Sequence, residues 1–155
     1  MSPITEALLI GSYAALLRGC LPDWRDGHVG DIDFICTRPA AELLLGRLGG
    51  EIIEHSPDRC YHFDRQGLNI DIDLRGHLLP TIVHHADIMD VPINGATIRC
   101  LVARPHLVAA LRAVSWSLVP TAIDKAKRDV RGYAELGIEI DAPLRKAAMA
   151  FRKPV

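Results

Sequence analysis

Residues 68–76 read "LNIDIDLRG", an alternation of apolar and polar side chains almost without fault. A period of two fits a strand and not a helix: Leu68, Ile70, Ile72 and Leu74 fall on one face, Asn69, Asp71, Asp73 and Arg75 on the other. An apolar face must be buried against another layer, so the chain must build a sheet and cover it. The same period recurs in "DIDFICT", residues 31–37, where Asp31 and Asp33 share a face and Ile32 and Phe34 alternate around them. At a separation of roughly 7 Å and an effective dielectric of about 20, such a carboxylate pair repels by about 2 kcal/mol. Either water screens the pair or a cation sits between them.

The rest of the chain supplies partners for these strands. "ALLIG" reads as a short buried strand running into Gly11-Ser12, and "YAALLRG" as a short helix ended by Gly19. Residues 21–30, rich in Pro, Gly and Asp, form a loop. "PAAELLLGRLGG" is a helix opened by Pro39 and stopped at Gly49-Gly50. "EIIEHS" and "CYHFD" are short strands with a turn at Pro57-Asp58, and "LLPTIVHHA" is a short helix or a turn. Asn94-Gly95 between two apolar runs signals a tight hairpin. Beyond it the pattern becomes helical: "RPHLVAALRAVSW", a break at Pro120, then "TAIDKAKRDVRGYAELG" with Thr121 as cap and Gly137 as stop. Strands lead and helices gather at the end, so the expected class is α+β, not a doubly wound parallel sheet.

Size and charge narrow the field. The 155 residues show no internal repeat and suit one domain over 1–155 with one core. A formal net charge of -1 gives no basic excess for gripping a nucleic-acid backbone, although Arg residues are scattered through 99–131. Cys20, Cys36, Cys60 and Cys100 lie far apart, which argues against a zinc knuckle or a disulfide framework and for a reducing, cytoplasmic setting. The apolar stretch 7–17 is interrupted by Gly11 and Ser12 and falls short of the roughly 20 residues of a membrane span, and no signal-peptide pattern opens the chain, so no membrane partner is expected.

Three features stand in chain order: Gly-Ser after a first strand, Asp-x-Asp on a second, and a further acid pair on a later strand. A glycine leading into a helix lets backbone amides approach phosphate oxygens. Hard cations such as Mg²⁺ take oxygen ligands, usually one or two carboxylates plus substrate phosphates. Together the three describe a site for a triphosphate and divalent metal, and two such ions would stabilise both the attacking and leaving oxygens of an in-line displacement.

"LLIGSYAALL", "GDIDFIC" and "LNIDIDL" resemble the Gly-Ser, paired-acid and third-acid motifs of the polymerase-beta-like nucleotidyltransferase superfamily. "LRAVSW" and "DKAKRDVRGYAEL" resemble the C-terminal helices of small, single-domain nucleotidyltransferases of phage and bacteria, with Lys125, Asp129 and Tyr133 in matching positions. The resemblance implies a small mixed sheet flanked by helices and transfer of NMP from an NTP, ATP foremost, to an acceptor hydroxyl or phosphate with release of pyrophosphate. It implies that Gly11 and Ser12 contact the β and γ phosphates, that Asp31 and Asp33 bind both Mg²⁺ (or Mn²⁺) ions, and that Asp71 or Asp73 is the third acid, with Asp71 preferred. Lys125 would neutralise charge on the leaving pyrophosphate. The chain departs from the pattern in a long loop between Ser12 and Asp31, in Gly30 before the first acid, and in lacking a bulky second domain. The acceptor, whether small molecule, protein or RNA, and the oligomeric state are not legible.

Two other readings compete. The same fold could serve as a catalytically inactive nucleotide-binding or protein-interaction module, such as a toxin–antitoxin or defence-related partner. His84, His85 and Asp87 could hold a transition metal, although adjacent histidines tend to point apart and no third ligand has a motif spacing.

Overall fold

A computed structural model describes the backbone of residues 2–56, 60–65 and 68–154. The chain opens with strand β1 (Ile4–Ile10), which passes directly into helix α1 (Gly11–Leu17). After a 3-10 turn at Asp23–Arg25 come β2 (Ile32–Cys36), α2 (Arg38–Leu48), β3 (Ile53–Ser56), β4 (Cys60–Arg65) and β5 (Leu68–Asp73). The stretch read as helix or turn resolves into two 3-10 helices, Gly76–Thr81 and Val83–His85. The hairpin β6 (Ala86–Ile93) and β7 (Ala96–Ala103) follows, then α3 (Pro105–Ala113), β8 (Ser115–Trp116), α4 (Pro120–Glu135), α5 (Ala142–Met149) and β9 (Lys153–Pro154). The turn expected at Pro57-Asp58 lies outside the described residues.

The class is α+β. Seven strands form one mixed sheet in the order β3-β4-β5-β2-β1-β7-β6, and β8 and β9 make a separate two-stranded parallel pair. Neighbours are antiparallel except β1 with β7 and β2 with β5, which run parallel. Consecutive residues Leu8, Leu9 and Ile10 on β1 and Phe34, Ile35 and Cys36 on β2 are all buried, so both faces of the central strands are covered. Helix α2 packs on β1, β2 and β7, while α3 packs against α1, α4, α5 and β7. Strand β6, at the edge, alternates between buried and exposed residues and accommodates Pro92, which an edge tolerates because its missing N–H need not pair on both sides. The Tyr13 hydroxyl donates to the Pro92 carbonyl and ties α1 to that edge. Among the described residues no helix is long and apolar enough to cross a membrane.

Local chemistry sets the element ends. The Thr37 hydroxyl accepts from Ala40 N–H at 3.4 Å to open α2, and Gly49 closes it in the left-handed conformation at φ 72°. Asn94 (φ 47°) and Gly95 (φ 82°) both take positive φ, the requirement of a two-residue type I′ turn. Helix α4 starts one residue before the expected Thr121 cap. Pro120, with φ fixed near the helical value and no N–H to satisfy, takes the first position, and the preceding Val119 N–H donates to Ser117 Oγ at 2.9 Å. The helix read through "RPHLVAALRAVSW" stops at Ala113, because Ser115 and Trp116 leave it to pair with Lys153 and Pro154 near the C-terminus. Helix α5 is opened by Asp141, whose carboxylate accepts from Leu144 N–H at 2.8 Å.

Candidate active site

The sheet register brings the motifs together. Ile10 at the end of β1 lies opposite Asp33 on β2, and Asp33 lies beside Asp71 on β5. Adjacent strands are about 4.8 Å apart and residues in register share a face, so Asp33 and Asp71 project side by side. Gly11, next after Ile10, has φ 70°, and a Cβ built on it would fall 2.6 Å from Asp33 Oδ2. The Asp33 carboxylate therefore packs onto the bare Cα at the start of α1, space that no other residue leaves open. Ser12 follows on the first turn of α1, and Asp31 sits two residues before Asp33, half-buried, just ahead of β2.

Asp73 stands one step along the same face, opposite Ile35. It is 2% exposed and engaged by Arg75: its Oδ1 accepts the Arg75 backbone N–H and Nε, both at 3.0 Å, and its Oδ2 accepts Nη2 at 2.7 Å. Arg75 Nη2 also donates to the Phe151 carbonyl at 2.8 Å. Asp73 thus anchors the C-terminal segment to the acid strand, and Asp71, half-buried and level with Asp33, is the acid placed beside the first pair.

Behind the acids lies an ion cluster formed around α4. Asp129 is 1% exposed and accepts from Arg25 Nε at 2.7 Å, Arg25 Nη2 at 2.6 Å and Arg112 Nε at 2.9 Å. The hydrogen bonds it donates to Asp129 hold the Arg25 guanidinium above its usual pKa; burial opposes the rise, and the charges of Asp129, Tyr133 and Asp33 add to it. Of these influences the Asp33 charge is the smallest, and the Arg25 guanidinium contacts Asp129 and the Trp24 ring. Tyr133, buried next to this cluster, has its phenol pushed upward chiefly by burial. Arg25 and Arg128 lie over the Trp24 ring at 4.9 and 4.2 Å from its centroid, beside a cavity of about 240 Å³. Lys125 is exposed on α4, one turn before Asp129, and no described contact brings it to the acids.

Arg25 stands beside Trp24 where the sequence allows both to line the mouth of a nucleotide site, and its pairing with Asp129, like that of Arg112, has its own signal in the chain. Ala126, Asp129 and Tyr133 recur at helical spacing on the buried side of α4, and an aspartate on a buried stripe demands cationic partners. The His84, His85 and Asp87 set is not a metal centre. Asp87 is clamped by Arg104 at 2.7 and 3.0 Å and by Arg18 at 2.9 Å, hydrogen bonds that hold its carboxyl below the usual range. His85 Nδ1 instead meets His106 Nε2 at 3.0 Å.

Among the described residues, no group of three or more His, Cys, Asp or Glu side chains is gathered as a ready-made metal cage. The donors at the sheet end are all carboxylate oxygens, with Asp33 and Asp71 adjacent. Mg²⁺ and Mn²⁺ commonly take one or two carboxylates with phosphate oxygens, and Asp33 and Asp71 are the two that the register places together for such a role.

No family model matches the chain, and no curated protein is similar to it. Among solved structures it is similar to the crystal structure of an antigenic nucleotidyltransferase-like protein from Paracoccidioides brasiliensis, with a TM-score of 0.46 and 14% identity over 91% of this chain and 76% of that one. A likeness that distant adds nothing to the chemistry of the acids.

Proposed function

We propose that this chain is a metal-dependent nucleotidyltransferase that transfers NMP from an NTP, ATP foremost, to an acceptor hydroxyl or phosphate and releases pyrophosphate. The observation that carries this reading is the placement of Asp33 in register with Asp71 on the neighbouring strand, with the Gly11 Cα, where β1 passes into α1, pressed against the Asp33 carboxylate. A phosphate chain reaching this end meets a backbone without side-chain bulk on one side and carboxylates on the other. When bound, Mg²⁺ or Mn²⁺ neutralises phosphate charge and lowers the pKa of the attacking hydroxyl.

The chain's own groups have distinct duties. Gly11 and Ser12 contact the phosphates with backbone and hydroxyl. Asp31 and Asp33 hold the ions, and Asp71 is the third acid, on the acceptor's side. Asp73 is a structural carboxylate, spent on Arg75. Arg25, fixed by Asp129, offsets the negative charge gathered around Asp33. In the transfer the acceptor oxygen forms a bond to the α-phosphorus, the bond to the β-phosphate oxygen breaks, and pyrophosphate departs. Lys125 reaches that leaving group only if its exposed side chain folds back over the nucleotide.

A second reading keeps the fold and loses the chemistry: a nucleotide-binding or protein-interaction module. The lack of a preassembled three-ligand cage among the described residues is the observation in its favour. Calorimetric titration of ATP, GTP, CTP and UTP with Mg²⁺, with EDTA, and into the Asp31→Asn, Asp33→Asn double variant, followed by a pyrophosphate-release assay, separates the two. Metal-dependent binding with pyrophosphate release supports the transferase, binding without release on any acceptor supports the module, and no binding of any NTP overturns both nucleotide readings.

A further inference from the structure

A groove of about 660 Å³ runs between the end of α3 and one flank of α4. Its floor is apolar, with Ile123, Ala126, Val130 and Ala134 recurring at helical spacing along about 16 Å of α4. The charged side chains lining it are Arg112, Lys127 and Arg131, and among the described residues no carboxylate lines it. Among the described residues Lys127 and Arg131 enter no ion pair, whereas Arg112 has its Nε committed to Asp129. Where the chain turns from β8 into α4, Leu118 is 89% exposed and Val119 is 54% exposed, extending the apolar surface past Ser117 at the groove's end. Ile123 and Val130 stay half-exposed in the groove, which, with Leu118 and Val119, presents apolar surface for a partner to cover.

We propose that this groove docks an amphipathic helix of a partner protein, its apolar residues at i, i+3/i+4 and i+7 lying along α4 and its flanking Asp or Glu residues facing Lys127 and Arg131. Three turns of α4 give the length for a helix laid alongside, and the uniform positive rim selects acidic flanks. A second copy of this chain fits less well: two grooves face to face would set Arg112, Lys127 and Arg131 of each against the same cations of the other. The proposal does not depend on the catalytic reading.

The test uses two synthetic helical peptides with identical Leu positions, one flanked by Glu and one by Lys, titrated by fluorescence anisotropy into the full chain. Wild type binds the Glu peptide, and the Lys peptide binds at least roughly tenfold more weakly. Leu118→Asp, at an exposed site, weakens the Glu peptide, and the Lys127→Glu, Arg131→Glu double variant inverts the preference. Circular dichroism and urea unfolding establish that both variants are folded. Binding of neither peptide, equal binding of both, or an unchanged preference in the double variant overturns the proposal. So does sedimentation of the wild type as a dimer that Leu118→Asp dissociates, which assigns the face to a second copy.

Discussion

The Gly11 Cα and the Asp33 carboxylate occupy adjoining space so tightly that one added methyl would lie 2.6 Å from Oδ2. Gly11→Ala therefore carries two penalties, a left-handed φ of 70° and a displaced carboxylate. The backbone penalty alone is about 1–2 kcal/mol. The variant should remain folded with a lowered urea midpoint and should lose metal-dependent NTP binding in calorimetry. Retention of wild-type binding would show that the contact does not serve the site.

Asp71 and Asp73 separate by opposite signatures. Asp73→Asn removes the charged partner of the largely buried Arg75 and should destabilise by about 3 kcal/mol, with loosening of the segment around Phe151 visible by hydrogen exchange. Asp71→Asn removes the carboxylate level with Asp33 and should weaken Mg²⁺-dependent NTP binding more than about tenfold. The reverse pattern would make Asp73 the third acid.

Asp129→Asn leaves two guanidiniums facing a neutral amide in a site that is 1% exposed. A loss of about 4 kcal/mol in urea unfolding is expected. Because Arg25 then has no fixed anchor, NTP affinity should fall as well, whereas Arg112→Met should cost stability with a smaller effect on binding. Equal effects on binding from both changes would remove the special role given to Arg25.

The Asp87 clamp predicts a pH signature. Its folded-state pKa is depressed first by the hydrogen bond from Arg104 and then by that from Arg18, so the native state favours the ionised form. Its contribution is fully present above the ordinary aspartate pKa of about 3.9 and is lost as pH falls below that toward the depressed folded value. The stability gap between wild type and Asp87→Asn should accordingly be flat from about pH 7 to about pH 5 and close in stronger acid. Urea midpoints measured across that range decide it, and a gap that widens on acidification contradicts the assignment.

Where the chain punctuates itself locally, its sequence is readable. Asn94-Gly95, Pro39 with Gly49, and the alternation in β2 and β5 each follow from φ, helix-end chemistry or a period of two, and each appears where expected. What escaped depends on distant partners. Ser115 and Trp116 look helical until Lys153 and Pro154 draw them into a strand, and Arg25 looks like a loop residue until α4 brings Asp129 to it. Asp73 is the instructive case. Arg75 is as close to it along the strand as Asp71 is, at the same spacing of two, so the alternation that suggested a pair of ligands equally allowed an acid and its own counter-ion.

Strand β1 lies between β2 and β7, with Leu9 beside Val102. During synthesis β2 emerges soon after β1, but the parallel neighbour on the other side is made only after most of the sheet. Until then β1 is an open edge lined with Leu8, Leu9 and Ile10. Pairings this distant in sequence are slow to close and leave aggregation-prone edges exposed meanwhile. The residues that lead into Gly11 therefore also mark the interval in which the nascent chain most needs protection from its neighbours.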